Sequence, residues 1–266
     1  MKYYIILLTI IFPLSLFATA QDGDYITWKG KRYEMLTCPL AYNSVLDSLF
    51  YEKFMPSSRT TADWNGYTGY WSIKDDELYL DSLCYYSRNG DSHTLLPDTE
   101  ELFSAYHTDK GTKATWFNDE LNIVSGNVVR YVHFGFDRNY EHEDVLKLTN
   151  GKITGITHYE NFVVRKDISA FVRNEELQDY LKKLYPKLKG EMKLYAKYQY
   201  VSKSEAPIGV DIVIKENEIS KKGKAKHIVE QIRSYIFEHK LIPLCYVRGA
   251  YVSSECPFWL EFTTNQ

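Results

Sequence analysis

The sequence is poor in the residues that mark fibrous, disordered and disulfide-rich proteins. Only eight of its 266 residues are proline and only four are cysteine. Hydrophobic residues make up 44% of the chain and charged residues 25%, which is the composition of an ordinary globular protein. Collagen, a coiled coil and intrinsic disorder are therefore excluded.

A strong excess of charge is also missing. The 32 basic and 35 acidic side chains give a formal charge of −3. No overall positive field exists to attract nucleic acid, so no nucleic-acid partner is expected. The charge is divided unevenly, because residues 21–165 contain 22 acids and 14 bases whereas residues 166–266 contain 13 acids and 17 bases. This asymmetry favours two domains.

Familiar catalytic and ligand-binding motifs do not occur. The chain has no CxxC or HExxH pattern, no G-x-S-x-G and no phosphate-binding glycine loop. We therefore expect no cofactor and no metal, and we assign no catalytic residue. Because enzymes can lack such motifs, a hydrolase or a metal-dependent enzyme stays open as an alternative.

Long apolar runs are confined to the N-terminus. Lys2 precedes an apolar stretch from Tyr3 to Phe17, and the small residues Ala18-Thr19-Ala20 follow it, which is typical of a secretory signal peptide. The stretch is shorter than the about 20 residues of a membrane-spanning helix and contains Pro13. We predict a signal peptide at residues 1–20, cleavage near Ala20, and a periplasmic or secreted mature chain without a transmembrane segment.

Residues 21–165 are predicted to form a β-rich antiparallel domain of about six strands. Apolar and polar residues alternate on both sides of the polar turn at residues 74–77, which indicates a hairpin. Asn150-Gly151 indicates a second hairpin, since both residues tolerate positive φ. Two further strands are expected at Ala114–Val124 and Val128–Phe134. Short helices are expected at Asn43–Phe54 and after Pro97.

Residues 166–266 are predicted to form a small α+β domain in the order α-β-β-α-β-β. Leucines recur at helical spacing after Asn174, which we expect to cap the first helix. The predicted helices are Asn174–Leu188 and about Gly223–Glu238, and the predicted strands are Met192–Val201, Ile208–Ile214, Ile242–Val247 and Tyr251–Phe262. The fold class of the whole chain is therefore α+β.

The final part of the chain carries a family resemblance. A strand from Ile208, a helix, Leu241-Ile242-Pro243, Arg248-Gly249-Ala250 and a terminal strand ending in Phe262 resemble the C-terminal domain of TonB-type energy transducers. The resemblance covers about a fifth of the chain and implies a periplasmic domain that meets partner proteins by strand addition. The N-terminal half, with Trp64-Asn65-Gly66-Tyr67 and Tyr131-Val132-His133-Phe134-Gly135-Phe136, is similar to uncharacterised secreted bacterial proteins, and this similarity implies no activity.

Export makes disulfides the expected state of the four cysteines. Arg248-Gly249 lies midway between Cys245 and Cys256, and a hairpin at this point would place the two sulfurs opposite each other. Cys38 would then pair with Cys84. Buried free thiols are the alternative.

Two groups of residues are candidates for a ligand site. The first combines imidazoles and carboxylates that could bind a cation or share a proton: His133, Asp137, Glu141, His142, Glu143 and Asp144. A solvated acidic loop is the simpler interpretation. The second contains Trp64, Tyr67 and Trp71, whose rings could stack on a sugar, although aromatic pairing within a sheet is the simpler interpretation.

The sequence thus favours an exported, non-catalytic binding or protein-interaction module. Its partner would be a protein or a glycan. A glycan-binding protein that uses the Trp/Tyr residues, and an enzyme centred on residues 133–144, are the alternatives.

Overall fold

The computed structural model describes residues 20–58, 60–132, 134–166, 168–199, 204, 206–219 and 225–262. The predicted signal peptide lies outside the described residues except for Ala20, and so does His133. No helix in these ranges has the length and apolar character needed to cross a bilayer.

The N-terminal half forms one ten-stranded sheet with few helices. Its strands, in chain order, are β1 (Asp24–Trp28), β2 (Lys31–Met35), β3 (Tyr67–Lys74), β4 (Glu77–Tyr86), β5 (Ser92–Leu95), β6 (His107–Thr108), β7 (Gly111–Lys113), β8 (Glu120–Tyr131), β9 (Arg138–Thr149) and β10 (Lys152–Glu160). The strand order is β10-β9-β8-β2-β1-β3-β4-β7-β6, and β5 pairs with β4. A bridge between Lys152 and Glu77 brings β10 back to β4, so the sheet curls around its core.

Helical segments of this half are short. Helix α1 (Ser44–Phe54) begins after Asn43, whose side chain accepts a hydrogen bond from the backbone N–H of Leu46 and caps the helix. The expected helix at Asn43–Phe54 is therefore confirmed. After Pro97 the chain forms two 3₁₀ segments, Pro97–Thr99 and Glu101–Tyr106, in place of an α-helix.

Both predicted hairpins are confirmed. Strands β3 and β4 are joined through Asp75 and Asp76, which have φ of 52° and 61°, and β9 and β10 are joined through Asn150 and Gly151, with φ of 49° and 70°. Two consecutive residues with positive φ are typical of the tight turn whose twist matches that of a hairpin.

The prediction of about six strands is wrong, because the sheet contains ten. Several of the additional strands have only two to five residues, which is too short for a clear alternation of apolar and polar residues. The predicted strands Ala114–Val124 and Val128–Phe134 overlap a single strand, β8, which begins at Glu120 and ends at Tyr131. Strand β8 continues through Gly126, with register shifts between Ser125 and Val128.

The C-terminal half contains two helices and two small sheets. Its elements are β11 (Phe162–Arg165), α2 (Ala170–Leu184), β12 (Gly190–Gln199), β13 (Gly209–Asn217), α3 (Ala225–His239), β14 (Leu244–Val247), β15 (Ala250–Val252) and β16 (Cys256–Phe262). One sheet has the order β13-β12-β16 and the other β11-β14-β15. The chain as a whole is mixed, mostly sheet with few helices, as expected of an α+β protein.

Two details of this half differ from the sequence expectation. Helix α2 begins earlier than predicted, because the side chain of Ser169 caps it by accepting a hydrogen bond from Val172 N–H. Asn174 lies inside the helix, and its Oδ1 accepts a hydrogen bond from Trp259 N–H on β16 at 3.1 Å. The predicted last strand is divided, since β15 pairs with β14 whereas β16 pairs with β12.

Two large hydrophobic cores and one small cluster hold these elements. The first core lies within the ten-stranded sheet and includes Trp71 and Phe50, and the second lies between α2, α3 and the β12 sheet and includes Phe258. A third, small cluster contains Val129 from β8 together with Cys245 and Val247 from β14. This small cluster therefore lies where the two halves of the chain meet.

Candidate functional site: a basic cleft where the two halves meet

The described imidazoles and carboxylates of the predicted site do not all come together. Asp137 pairs with Arg130, with 2.6 Å between Oδ1 and the guanidinium NH1. Glu141 instead accepts hydrogen bonds from the backbone and side-chain amides of Asn127 on the neighbouring strand. His142 contacts Glu160, a residue outside the predicted group.

Two of the predicted residues, His142 and Asp144, do come together with two further residues on the exposed side of the β9–β10 hairpin. This His–carboxylate cluster consists of His142, Asp144, His158 and Glu160. Glu160 contacts both imidazoles, at 2.7 Å from His142 Nδ1 and 2.5 Å from His158 Nε2, and Asp144 Oδ1 lies 3.0 Å from His158 Nδ1. Hydrogen bonds to Asp144 and Glu160 raise the pKa of His158 above its usual value. Within the described ranges, no three His, Cys, Asp or Glu side chains are arranged to hold a metal ion.

The three aromatic residues predicted as a sugar-binding surface lie in different environments. Trp64 is 58% exposed, but Tyr67 and Trp71 are 4% and 1% exposed and belong to the first core. Tyr70, on the opposite face of β3, stacks on Tyr25. The predicted residues therefore do not form one exposed aromatic surface.

All four cysteines are free thiols in the structure. The hairpin register differs from the one behind the predicted Cys245–Cys256 pair, because Cys245 lies opposite Val252 and Cys256 begins the next strand opposite Ala196. The pairings stay predictions, and the geometric reason given for Cys245 with Cys256 is wrong.

The halves are joined beside the small hydrophobic cluster by polar contacts. The thiol of Cys245 donates a hydrogen bond to the carbonyl oxygen of Val129 at 3.2 Å. Arg248, in the β14–β15 turn, contacts the fully buried Glu143 at 2.6 Å, and its backbone N–H donates to Asn161 Oδ1. These contacts fix the β14–β15 hairpin against β8 and β9.

An open cleft of about 480 Å³ lies at this junction, and we name it the junction cleft. Strands β8 and β11, the first turn of α2, and the starts of β14 and β16 with the residues just before them all contribute to it. The described residues that line it are Val129, Arg130, Tyr131, Val163, Arg165, Lys166, Arg173, Pro243, Cys245, Ser254, Glu255, Cys256 and Pro257. Its volume falls in the range of about 300–1,000 Å³ that is usual for small-molecule sites.

The guanidinium groups of the junction cleft are held by neutral partners as well as by acids. Arg165 NH1 donates to the Tyr198 hydroxyl and to the carbonyl of Ile242, each at 3.4 Å. Arg173 is 2% exposed, and its NH1 donates to the carbonyl of Ile168 at 2.7 Å. Carbonyl and hydroxyl acceptors orient the Arg165 guanidinium without neutralising it, so its positive charge remains available to a ligand.

The described lining residues include no histidine that could activate the Cys245 thiol. Burial raises the pKa of the Cys245 thiol, although nearby Arg130 opposes this shift. A nucleophilic cysteine needs a lowered pKa or an adjacent imidazole, and no histidine is found among the described lining residues. The Cys245 thiol is thus suited to packing and ligand contact and not to nucleophilic attack.

A second cavity, of about 500 Å³, lies at the edge of the ten-stranded sheet near β7. Its two lysines are already occupied, since Lys74 pairs with Asp81 and Lys110 pairs with Asp75. This cavity belongs to one half of the chain alone, whereas the junction cleft draws its residues from both.

Sequence reasoning missed the junction cleft because its residues lie up to 128 positions apart, from Val129 to Pro257. The sequence contains only a local signal for this cleft. Arg165 and Lys166 are adjacent bases at the boundary between the acidic and basic parts of the chain. A charge map of that boundary would have pointed to it, but no local pattern indicates that Arg130 and Arg173 face the same space.

Comparison of the chain with protein-family models, with curated proteins and with solved structures finds no match.

Proposed function

We propose that this chain is an exported, non-catalytic binding protein that takes its ligand in the junction cleft. The observation that carries the proposal is the position of the cleft: residues of both halves line a single space of about 480 Å³. Clefts between structural units are a preferred location for ligand sites. The two halves would act as two domains, with a boundary close to Arg165 and Lys166.

Two further features support binding over catalysis. The Cys245 thiol has a raised pKa, which disfavours its reactive thiolate form. Glu255 is the only carboxylate among the described lining residues, so the pair of acids used by many hydrolases is not found there.

The cell location is part of the proposal. The charged start, apolar stretch and small residues up to Ala20 support export, and the resemblance of the last fifth of the chain to the TonB C-terminal domain is consistent with a periplasmic interaction module. Mass spectrometry of the protein from its native cell envelope is expected to give Gln21 as the first residue.

A cleft-filling substitution tests the ligand site. Val163 lines the junction cleft and is 42% exposed, so Val163→Trp fills the cleft with an indole ring while leaving both cores intact. Val213→Trp is the matched control, because Val213 is a 51% exposed strand valine outside the cleft. Small molecules are screened by thermal shift against the native protein and both variants.

We expect stabilising compounds to act on the native protein and on Val213→Trp but not on Val163→Trp. The bound compound, recovered and analysed by mass spectrometry, should be chemically unchanged. Compounds that stabilise Val163→Trp as well would contradict the location, and recovery of a converted product would contradict the non-catalytic assignment.

A further inference from the structure

We infer that the cavity near β7 is a second, separate binding site and that it takes a neutral ligand rich in hydroxyl groups, such as a sugar. We name this space, of about 500 Å³, the edge cavity. Its described lining belongs entirely to the N-terminal half, so the site lies outside the junction cleft and goes beyond the function proposed for that cleft. Three features support it: a gap in the sheet, a buried hydroxyl without a partner, and a lining with both hydrogen-bond donors and acceptors.

The edge cavity lies at a gap in the ten-stranded sheet. On the side of β4 away from β3, β7 pairs with Tyr79 and Leu80, and β5 pairs with residues 83–86. Within the described strands, neither β5 nor β7 lies opposite Asp81 or Ser82. Leu80 and Asp81 line the cavity from β4, so the space opens where β4 has no continuous neighbour on this side.

A buried hydroxyl in the lining has no hydrogen-bond partner. Thr112 is 1% exposed, and its Oγ1 is buried and unpartnered among the described residues. Thr112 lies opposite Leu80 of β4 and His107 of β6, and all three residues line the edge cavity. Directly opposite residues of paired strands project from the same face of a sheet. Buried polar atoms in native proteins nearly always have a partner, and a ligand hydroxyl, which both donates and accepts, is a suitable one.

The charged residues of the lining disfavour a ligand of either charge. They are Lys74, Lys110, Asp81, Asp98 and Asp109. Lys74 Nζ lies 3.2 Å from Asp81 Oδ1. Lys110 Nζ lies 2.6 Å from Asp75 Oδ2. An anion would therefore meet three carboxylates and two lysines that are already paired, whereas a cation would meet both ammonium groups.

The same residues supply both kinds of hydrogen-bonding group to a neutral ligand. Asp98 and Asp109 are exposed, so water and salt screen their charge while their oxygens accept hydrogen bonds. The Lys110 ammonium has three N–H donors, and among the described side chains it donates to Asp75 alone. A ligand with several hydroxyl groups matches donors and acceptors at once, because each hydroxyl both donates and accepts.

The size of the cavity and the apolar part of its lining fit a sugar. A volume of about 500 Å³ falls within the range of about 300–1,000 Å³ that is usual for small-molecule sites. Leu80 and Leu96 line the cavity beside the polar groups, and Leu96 is 51% exposed. Apolar side chains contact the C–H groups of a sugar ring while the polar groups bind its hydroxyls. A free monosaccharide and the terminal unit of a glycan share this chemistry.

Saturation-transfer difference NMR titrations of the native protein and its variants test the inference. Glucose, galactose and mannose are the neutral probes, and the amino sugar and the uronic acid of each add one charge of either sign to the same ring. Thr112→Val is the test variant, because it removes the hydroxyl and keeps a β-branched side chain. Thr27→Val is the control, since Thr27 is an exposed residue of β1 outside the described lining.

A second pair of variants tests the open side of the cavity. Asp98→Ala removes a carboxylate of the lining, whereas Asp91→Ala removes an exposed carboxylate between β4 and β5 that is outside the described lining. Val163→Trp, which fills the junction cleft, separates the two sites.

We expect the native protein to bind at least one hexose more tightly than its amine or its uronate. Thr112→Val and Asp98→Ala should each weaken this binding about 5-fold, as expected for one lost hydrogen bond. Both control variants and Val163→Trp should leave it unchanged. The thermal midpoint of Thr112→Val should not fall, because the change removes a buried hydroxyl that has no described partner. Equal binding of a disaccharide of the preferred hexose identifies a glycan unit, and binding of the hexose alone identifies a free sugar.

Four binding results would overturn the edge cavity as a sugar site: no hexose binds, a charged analogue binds more tightly than its parent hexose, either Thr112→Val or Asp98→Ala binds like the native protein, or Val163→Trp abolishes binding. A lower thermal midpoint of Thr112→Val would also overturn it, since the hydroxyl would then have a partner within the protein. Loss of sugar binding in Val163→Trp would place the sugar in the junction cleft and leave the proposed function intact. Failure of the two proposals is therefore distinguishable.

Discussion

The Asp24 carboxylate accepts a hydrogen bond from Trp71 Nε1 at 2.8 Å inside the first core, where it is 1% exposed. Its other oxygen accepts a hydrogen bond from the backbone N–H of Gly69, also at 2.8 Å. The contact is close, since a Cβ on Gly69 would lie 2.5 Å from Asp24 Oδ2. Asp24 thus joins the parallel strands β1 and β3 through a side chain and not only through the backbone.

This buried carboxylate should make stability depend on pH. Burial raises the pKa of Asp24 from 3.8 to about 6, although the two N–H donors act in the opposite direction. A pKa that is higher in the folded than in the unfolded state gives stability that is present below pH 3.8 and lost as the pH rises through about 6.

We expect the native protein to lose about 3 kcal/mol of unfolding free energy over this interval, relative to Asp24→Asn. Urea denaturation at several pH values measures the difference. Asp22→Asn, at an exposed neighbour, should follow the native curve. A constant difference between native protein and Asp24→Asn across this range would show that Asp24 is not the group responsible.

The contact between Arg248 and Glu143 should contribute to the cohesion of the two halves. Glu143 is fully buried and Arg248 Nε lies 2.6 Å from its Oε2, so Arg248→Met leaves a buried carboxylate without its cation. We expect a loss of about 2 kcal/mol in unfolding free energy. Glu143→Gln combined with Arg248→Met should cost less than the sum of the single changes.

Lys110→Met is the control for this pair, because it breaks an ion pair with Asp75 on the open surface and should change stability little. If Arg248→Met and Lys110→Met lower the free energy of unfolding equally, the contact between the halves contributes no more to stability than a surface ion pair.

The cysteines should differ in reactivity when the protein is reduced and folded. Cys38 is buried and its pKa is raised well above the usual value, chiefly by desolvation, whereas Cys84 is half-buried. We expect iodoacetamide to label Cys84 first and Cys38 last, as followed by peptide mass spectrometry. Labelling of Cys38 before Cys84 would contradict the burial of Asp24 and Cys38 in one interior.

The predicted disulfides are tested on the same protein without reductant. Export favours disulfide formation, and non-reducing peptide mapping would detect linked peptides if Cys245 pairs with Cys256 or Cys38 with Cys84. Four thiols that are all open to alkylation after denaturation would end that prediction.

Within the His–carboxylate cluster, His158 should titrate at a higher pH than an isolated histidine. Asp144 and Glu160 accept hydrogen bonds from the protonated His158 ring and raise its pKa above 6.5. The stability that His158 contributes is therefore complete below its unfolded pKa and is lost as the pH rises through the folded value. NMR titration of the imidazole should show this shift, and Glu160→Gln should lower it. An unchanged His158 pKa in Glu160→Gln would show that the contact does not persist in solution.

Features set by local sequence could be predicted. The turns at Asp75-Asp76 and Asn150-Gly151 lie between clear alternating stretches, and helices α2 and α3 follow from leucine and isoleucine spacing. The β1–β2 hairpin also has a local signal, Lys29-Gly30 with φ of 49° and 75°, which was not among the predicted turns.

Features set by contacts between distant residues could not be predicted. The parallel pairing of β1 with β3 joins strands about 45 residues apart, with Tyr25 opposite Tyr70. The pairing of β16 with β12, and not with β15, also depends on tertiary packing. Asn174 and Gln178 of α2 accept hydrogen bonds from backbone N–H groups of β16. The junction cleft depends on strand pairing and on helix–strand packing between distant residues. No local sequence motif therefore predicts it.

Hydrogen–deuterium exchange with and without each stabilising compound from the screen tests the central claim most directly. We expect ligand to protect peptides that contain Arg130, Val163 to Lys166, Cys245 and Glu255 together, because these residues surround one space. Protection confined to another surface, such as the cavity at His107–Thr112, would contradict the assignment of the junction cleft as the ligand site.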